Sequence, residues 1–229
     1  MKILVTGSAG FFGSWLCPAI EEAGHAVVPY DIKTGQDLFD GAALAKAMRG
    51  CDAVIHLAAL PHYKPASEIP PQEFVRMNII GTAAVVAAMK AARVKRLVYA
   101  SSGALYGFGP ERSLDGWVTP PITEAQGPTT TRHWSMIDVY GASKLACEAW
   151  LPLAMGRDWV VTALRINCIE PYHHGALTSG AHHGWWCSQA TASRAFIAAC
   201  EREERSFAAV NVGEPCENLD ATMLEALAK

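Results

Sequence analysis

The sequence predicts an α/β fold, a doubly wound parallel sheet covered by helices on both faces, and three observations carry that prediction. β-rich apolar runs alternate with helical stretches along most of the 229 residues. The strand candidates are nearly continuous apolar runs, as a sheet buried on both faces requires. A glycine-rich turn joins the first of them directly to the first helix.

Strands are expected at Lys2 to Thr6, Ala26 to Tyr30, Ala53 to Leu57, Arg96 to Ser101, Trp159 to Ile166 and Phe207 to Val212. Helices are expected at Phe11 to Ala23, Gly41 to Met48, Pro71 to Ala92, Val139 to Met155 and Thr191 to Glu203. This alternation implies right-handed crossovers between parallel neighbours. Two irregular stretches break it, Gly103 to Asp138 and Pro171 to Gln189. Loops that long are usually functional, and both follow the C-terminal ends of expected strands, where open α/β sheets bind ligands. The expected organisation is a single domain, 1–229, with a core of about 1–170 plus 190–213 and a reduced C-terminal substrate lobe from 171–189 and 214–229.

Composition narrows the class. Hydrophobic residues make up 51% of the chain, enough for one buried core. A net charge of −3 and a pI near 6.2, without a basic run, argue against nucleic acid as a partner. The chain enters a strand at once, and no apolar run reaches the ~18 residues that span a bilayer. The expectation is a cytoplasmic protein with no membrane partner. Seven cysteines without a C-x-x-C pair fit reduced thiols better than disulfides or zinc.

The turn reads Gly7-Ser8-Ala9-Gly10-Phe11-Phe12-Gly13, a G-x-x-G-x-x-G spacing between strand and helix. Glycine permits the tight turn and the close approach of backbone to a pyrophosphate, and the helix N-terminus presents N–H groups to it. The second strand ends in Asp31, the order a dinucleotide site requires. A carboxylate there accepts from both ribose hydroxyls and repels a 2′-phosphate, so NAD is favoured over NADP, with Lys33 nearby to soften the difference. Asp37 and Leu38 are candidates to contact the adenine; their other reading is the approach to the next helix.

Tyr140 and Lys144 stand at i and i+4, one turn apart on one helix face. A phenol with a pKa near ~10 is about 0.1% ionised at neutral pH, and a nearby cation favours the phenolate. Ser102, at the end of an expected strand, is placed to hydrogen-bond the same substrate oxygen. Three such groups around one oxygen make a carbonyl/alcohol site. Separately, each also has a plain reading as core ring, solvated charge and turn former.

Taken in order, these residues resemble the extended short-chain dehydrogenase/reductases, the NAD-dependent epimerase/dehydratase group, from Met1 to about Pro171. The resemblance rests on Gly7, Gly10 and Gly13; Asp31; Asp37-Leu38; His56-Leu57-Ala58-Ala59; Asn78; Ser101 to Gly107; Tyr140, Lys144 and Glu148; and Arg165-Ile166-Asn167. It implies a Rossmann fold and a cofactor cleft formed by the glycine loop with Phe11 and Phe12, by Leu57, Ala58 and Ala59, and by Asn78. It also implies that Ser102 and Tyr140 are catalytic. Lys144 would hold the nicotinamide ribose and depress the Tyr140 pKa. Substrate would meet His62, Ser102, Gly103 and Asn167.

The implied chemistry is hydride transfer at a secondary alcohol of a sugar or sugar-like metabolite. The outcome is a dehydrogenase or an epimerase, with dehydration least favoured because Gly103-Ala104 replaces the usual acids. The stretches beyond Tyr172 leave little chain to enclose a nucleotide, so a compact substrate is expected. Some similarity to uronate dehydrogenases, including Lys64-Pro65, makes Arg165, Arg112 and Arg132 candidate carboxylate partners. The alternatives are a nucleotide-sugar epimerase and a non-catalytic NAD(P)-binding regulator. The resemblance further suggests a homodimer pairing Pro71 to Ala92 with Val139 to Met155.

Other features point less far. His173-His174 and His182-His183 lack companion ligands at a metal spacing, so no metal is expected. Trp185-Trp186 fits core packing, and His62-Tyr63 lies close enough to border the pocket. Cys168 and Cys187 have no visible activating partner.

Overall fold

The computed structural model describes residues 1–61, 69–106, 136–169 and 186–213, with the backbone alone at 136–138, 168 and 186. The elements run β1 (Lys2–Thr6), α1 (Phe11–Glu22), β2 (Ala26–Tyr30), α2 (Gly41–Met48) and β3 (Ala53–His56). There follow α3 (Pro71–Phe74), a π-helical turn (Val75–Ile80), α4 (Gly81–Ala92), β4 (Arg96–Ser102) and a 3-10 turn (Gly103–Tyr106). The remainder is α5 (Met136–Met155), β5 (Val160–Ile166), β6 (Cys168–Ile169), β7 (Trp186–Cys187), α6 (Gln189–Glu201) and β8 (Phe207–Val212).

Six strands form one sheet in the order β2-β1-β3-β4-β5-β8, every pair parallel. The chain leaves β1 toward β2 on one side and returns to β3 on the other. The switch point therefore opens between β1 and β3, where doubly wound sheets bind ligands. Strand period decides which core each residue joins. Ile3, Val5, Ile55, Val98 and Leu164 face α1 and α6 through Leu16, Ile20, Phe196 and Cys200. Leu4, Val54, Leu97 and Tyr99 face α2, α4 and α5 through Leu44, Met48, Val86, Met89, Cys147 and Leu151. The fold class read from the sequence is the one observed.

Helix starts follow local chemistry. Asp40 Oδ1 accepts from Ala43 N at 3.0 Å to cap α2, and Ser188 Oγ accepts from Thr191 N at 3.1 Å to cap α6. α5 begins at Met136, before the expected Val139. The stretch expected as one helix, Pro71 to Ala92, is interrupted by the π turn, which carries Asn78 at 1% exposure. This stretch also has the length and mean hydropathy, 1.3, of a membrane-spanning helix, because that measure averages over its few charges. Its Phe74, Val85, Val86 and Met89 are buried. Cys168–Ile169 pairs with Trp186–Cys187 in a separate two-stranded parallel sheet, so the second irregular stretch ends in a strand. Most of the expected substrate lobe, 171–185 and 214–229, lies outside the described residues, as do the paired histidines, Trp185 and the Trp186 ring.

Candidate active site and cofactor cleft

At the end of β1, Gly7 adopts φ +73°, and its N–H donates to Tyr30 O at 2.9 Å. A Cβ at Gly7 would come within 2.8 Å of Ala58 N, so glycine is what lets the loop close against the strand-end segment Leu57-Ala58-Ala59. At Gly13 a Cβ would overlap Ser8 O, which fixes the tight entry into α1. α1 starts at Phe11 with no side-chain cap and no acid in its first turn, leaving its positive end for an anion.

Asp31 is 6% exposed at the end of β2. Its Oδ2 accepts from Ala9 N at 2.9 Å and its Oδ1 from Lys33 N at 2.8 Å. Each oxygen keeps lone-pair capacity, so the carboxylate is oriented by the glycine loop yet still able to accept from a diol. Lys33 Nζ donates to Ala9 O at 2.9 Å, across the same loop. This set fits the adenosine and pyrophosphate of a dinucleotide. Asp37 is turned to its own backbone, Oδ1 accepting from Phe39 N at 3.0 Å, and Leu38 is buried with its Cδ1 beside Gly81. The leucine thus packs into the core beside α4.

One wall of the cleft is held by a buried relay. Ala58 N–H donates to Thr6 Oγ1 at 3.3 Å, and Thr6 Oγ1 lies 2.7 Å from His56 Nδ1. On the other ring side, His56 Nε2 is 3.0 Å from Thr82 Oγ1, which donates to Asn78 O at 2.6 Å. The Thr82 hydroxyl proton is committed to Asn78 O, so His56 Nε2 donates to Thr82 Oγ1. With the ring held neutral by its burial, Nδ1 is left to accept from Thr6 Oγ1. Burial and then the Lys144 charge depress its pKa to about 3. Asn78 continues the chain: Oδ1 accepts from Leu60 N at 2.7 Å, and Nδ2 donates to Leu60 O at 3.2 Å and to Ser143 Oγ at 2.9 Å.

The other wall is α5. Gly141 allows that helix to approach the 3-10 turn so closely that a Cβ would meet Ala104 O at 2.5 Å. The approach brings Tyr140 to Ser102, whose hydroxyl hydrogen-bonds the phenol. Lys144 is 3% exposed, its Nζ donating to Ala100 O at 2.8 Å and lying 5.5 Å from the Tyr140 ring centroid. Serine, tyrosine and lysine thus converge at the C-terminal end of β4, as the spacing suggested. Gly103 and Asn167 also meet, since a Cβ at Gly103 would overlap Asn167 Oδ1.

One expectation is corrected. Tyr140 does not have a depressed pKa here: burial pushes it up to about 12, with the Ser102 hydrogen bond pulling back. Burial in turn lowers Lys144 to about 8, against the Cys147 and Glu148 side chains, which raise it. Tyr140 carries its proton, the state that donates to a carbonyl.

Among the candidate carboxylate partners, Arg165 is engaged by Glu148 and Tyr106. Arg202 is 4% exposed and bonds Val161 O, Ser206 O and Glu204. Arg112, Arg132 and His62 lie outside the described residues. Sequence reasoning missed Thr6, Thr82, Ser143 and Tyr99. For Tyr99 a signal existed, because strand period places it with Ser101 on the α5 face of β4.

A parallel sheet with a dinucleotide cradle at its switch point and a Ser-Tyr-Lys set beside it defines a Rossmann-type dinucleotide-binding fold. The chain belongs to the NAD dependent epimerase/dehydratase family, whose model matches residues 3–180. It is 34% identical to a UDP-glucose 4-epimerase of Streptomyces lividans over 164 residues, 64% of this chain and 45% of that protein. It is 38% identical to a 2-alkyl-3-oxoalkanoate reductase of Stenotrophomonas maltophilia (strain K279a) over 183 residues, 74% of this chain and 51% of that one. The fold is similar to MoeE5, solved with UDP-glucuronic acid and NAD, at a TM-score of 0.73 and 25% identity over 93% of this chain and 76% of that one. The chain spans about half the length of each of these two relatives.

Proposed function

We propose that this chain carries out NAD-dependent hydride transfer at a secondary alcohol of a sugar or sugar-like small molecule, as a dehydrogenase or an epimerase. The observation that carries the reading is the convergence of Ser102, Tyr140 and Lys144 at the end of β4, beside the glycine loop's cleft. Gly7 to Gly13, Asp31, the Leu57-Ala58-Ala59 segment and Asn78 would hold the cofactor. NAD, when bound, supplies the oxidised nicotinamide that accepts hydride from the alcohol carbon.

The residues do the rest. Ser102 and Tyr140 hold the substrate oxygen from two sides. Tyr140 exchanges its proton with that oxygen as carbonyl and alcohol interconvert. Lys144 reaches the ribose with the ammonium donors that Ala100 O leaves unused. Tyr140 starts from a pKa of about 12, so its service as a base depends on positive charge arriving with the cofactor.

A nucleotide-sugar epimerase is the second reading, favoured by the UDP-glucose 4-epimerase relative and by the UDP-sugar bound in MoeE5. The two readings and the regulatory alternative separate in one experiment. The chain is supplied with NAD and UDP-glucose, or with NAD and free sugars and uronic acids, and followed by nicotinamide absorbance and by product NMR. Net reduction of NAD marks a dehydrogenase, sugar inversion without net reduction an epimerase. Binding of NAD with no product from any of them would overturn the catalytic proposal.

The proposal extends to a cytoplasmic homodimer without nucleic-acid or membrane partners. Apolar side chains stand exposed on both helices expected at the interface: Val75 and Ile80 on one, Trp150 and Leu153 on the other. The free thiols Cys17, Cys51, Cys147 and Cys200 suit a reducing compartment.

A further inference from the structure

We propose that Tyr99 is a positioning residue for the reaction: the face of its ring, with that of Tyr140, seats the buried Lys144 ammonium and leaves its N–H groups available to the cofactor. The inference rests on the proposed role of Lys144 as the cation that serves cofactor and phenol. Lys144 Nζ lies 5.0 Å from the Tyr99 ring centroid and 5.5 Å from that of Tyr140, both within the range of a cation–π contact. Among the described residues its one hydrogen bond is to Ala100 O at 2.8 Å.

A buried ammonium needs compensation for lost water, and hydrogen-bond acceptors would supply it at the expense of its three donors. A ring face attracts the charge without taking an N–H. Two donors stay uncommitted, the number a ribose diol can use. Glu148 adds charge that favours the ammonium, but its oxygens accept from Arg165 and Ser101 and take no N–H from Nζ.

Tyr99 is built to hold still. It is 1% exposed, sits opposite His56 in the β3–β4 pairing, and lies 5.9 Å from that imidazole, ring to ring. Leu97, Cys147 and Leu151 share its core. Its hydroxyl lies beside the Cys147 thiol, and among the described residues it has no other hydrogen-bond partner. The ring face, not the oxygen, is what meets Lys144.

The titratable or charged groups around Lys144 are His56 from β3, Tyr99 from β4, Tyr140, Cys147 and Glu148 from α5, and Arg165 of β5 behind Glu148. His56 is held neutral and Glu148 is held by Arg165. The ring of Tyr99 can therefore be varied against a fixed electrostatic background.

The test is a 15N NMR titration of the Lys144 ammonium in the full, cofactor-free chain, with the signal assigned by its loss in Lys144→Arg. Position 99 carries tyrosine, phenylalanine, or phenylalanine with one, two or three ring fluorines, which withdraw charge from the face while keeping the shape. Tyr99→Phe should titrate with the parent chain. Progressive fluorination should move Lys144 deprotonation to lower pH, by about one pH unit at three fluorines. Tyr99→Leu, if folded, should move it at least as far. A Lys144 titration that is the same across the fluorinated series, or a Tyr99→Phe change as large as the trifluoro one, would overturn the proposal. Because no substrate or cofactor is present, failure of the hydride-transfer reading would leave this result unaffected, and the reverse holds too.

Discussion

Arg165 of β5 and Glu148 of α5 form a buried, two-pronged pair: Nη2 is 2.7 Å from Oε2, and Nε is 3.1 and 3.2 Å from the two carboxylate oxygens. Arg165 Nη1 continues to Tyr106 OH at 2.6 Å, which donates to Asn211 Oδ1 at 2.9 Å, while Ser101 Oγ completes the Glu148 shell. One network thus ties α5, β4, β5, β8 and the turn after Ser102. An arginine so engaged is a strut, not a receptor for a substrate carboxylate, which removes the most specific residue support for a free sugar acid.

Breaking that pair from one side should be severe. Glu148→Gln leaves a buried guanidinium uncompensated, and the expected loss is about 3–5 kcal/mol in urea unfolding. The double variant Glu148→Gln/Arg165→Met should recover part of it. A loss below about 1 kcal/mol in the single variant would show that the network does not hold the helix to the sheet.

Asp31 should set cofactor choice. In calorimetric titrations the unaltered chain is expected to bind NAD more tightly than NADP, and Asp31→Ala should narrow that gap chiefly by weakening NAD. Equal or tighter NADP binding by the unaltered chain would contradict the assignment. Lys33→Ala should widen the preference, since the ammonium beside Asp31 is the nearest partner for a 2′-phosphate.

His56 makes stability fall in acid. Its folded pKa of about 3 lies below the unfolded value of about 6.5, so the unfolded chain binds the extra proton between them. The contribution is complete above pH 6.5 and declines as pH falls toward 3, by about 1.4 kcal/mol per pH unit. Denaturation at pH 7, 6, 5 and 4 should show that slope, flattened in His56→Gln. Parallel curves for the two proteins would rule out His56 as the source.

Much of this was legible in the sequence, for identifiable reasons. Apolar runs such as Ile3-Leu4-Val5 and Val54-Ile55 mark strands buried on both faces, and glycine spacing marks a turn, so β1, β2, α2 and β8 fall where expected. Tyr140 and Lys144 follow from helix geometry alone. The π turn at Val75–Ile80 was not legible, because its extra residue leaves no apolar signature. The neutral state of His56 and the raised Tyr140 pKa depend on burial and on partners tens of residues away. The packing of Leu38 against Gly81 was likewise not legible, because it depends on a residue distant in the sequence.

The exposed apolar residues give the dimer a direct check. Ile80→Glu together with Leu153→Glu should convert a dimer to a monomer by light scattering, Leu153 being 85% exposed in the single chain. A monomeric mass before any substitution would dispose of the interface.

The central claim is that Tyr140 moves the proton while the cofactor takes the hydride, and Tyr140→Phe tests it most directly. Turnover of whichever sugar the parent chain converts, read by product NMR, should fall by about 10²–10⁴-fold. NAD affinity, read by calorimetry on the same preparation, should stay within about threefold of the parent, since removing the hydroxyl leaves the ring that packs against Phe74 at 6.4 Å. Turnover at the parent rate in Tyr140→Phe would contradict the account.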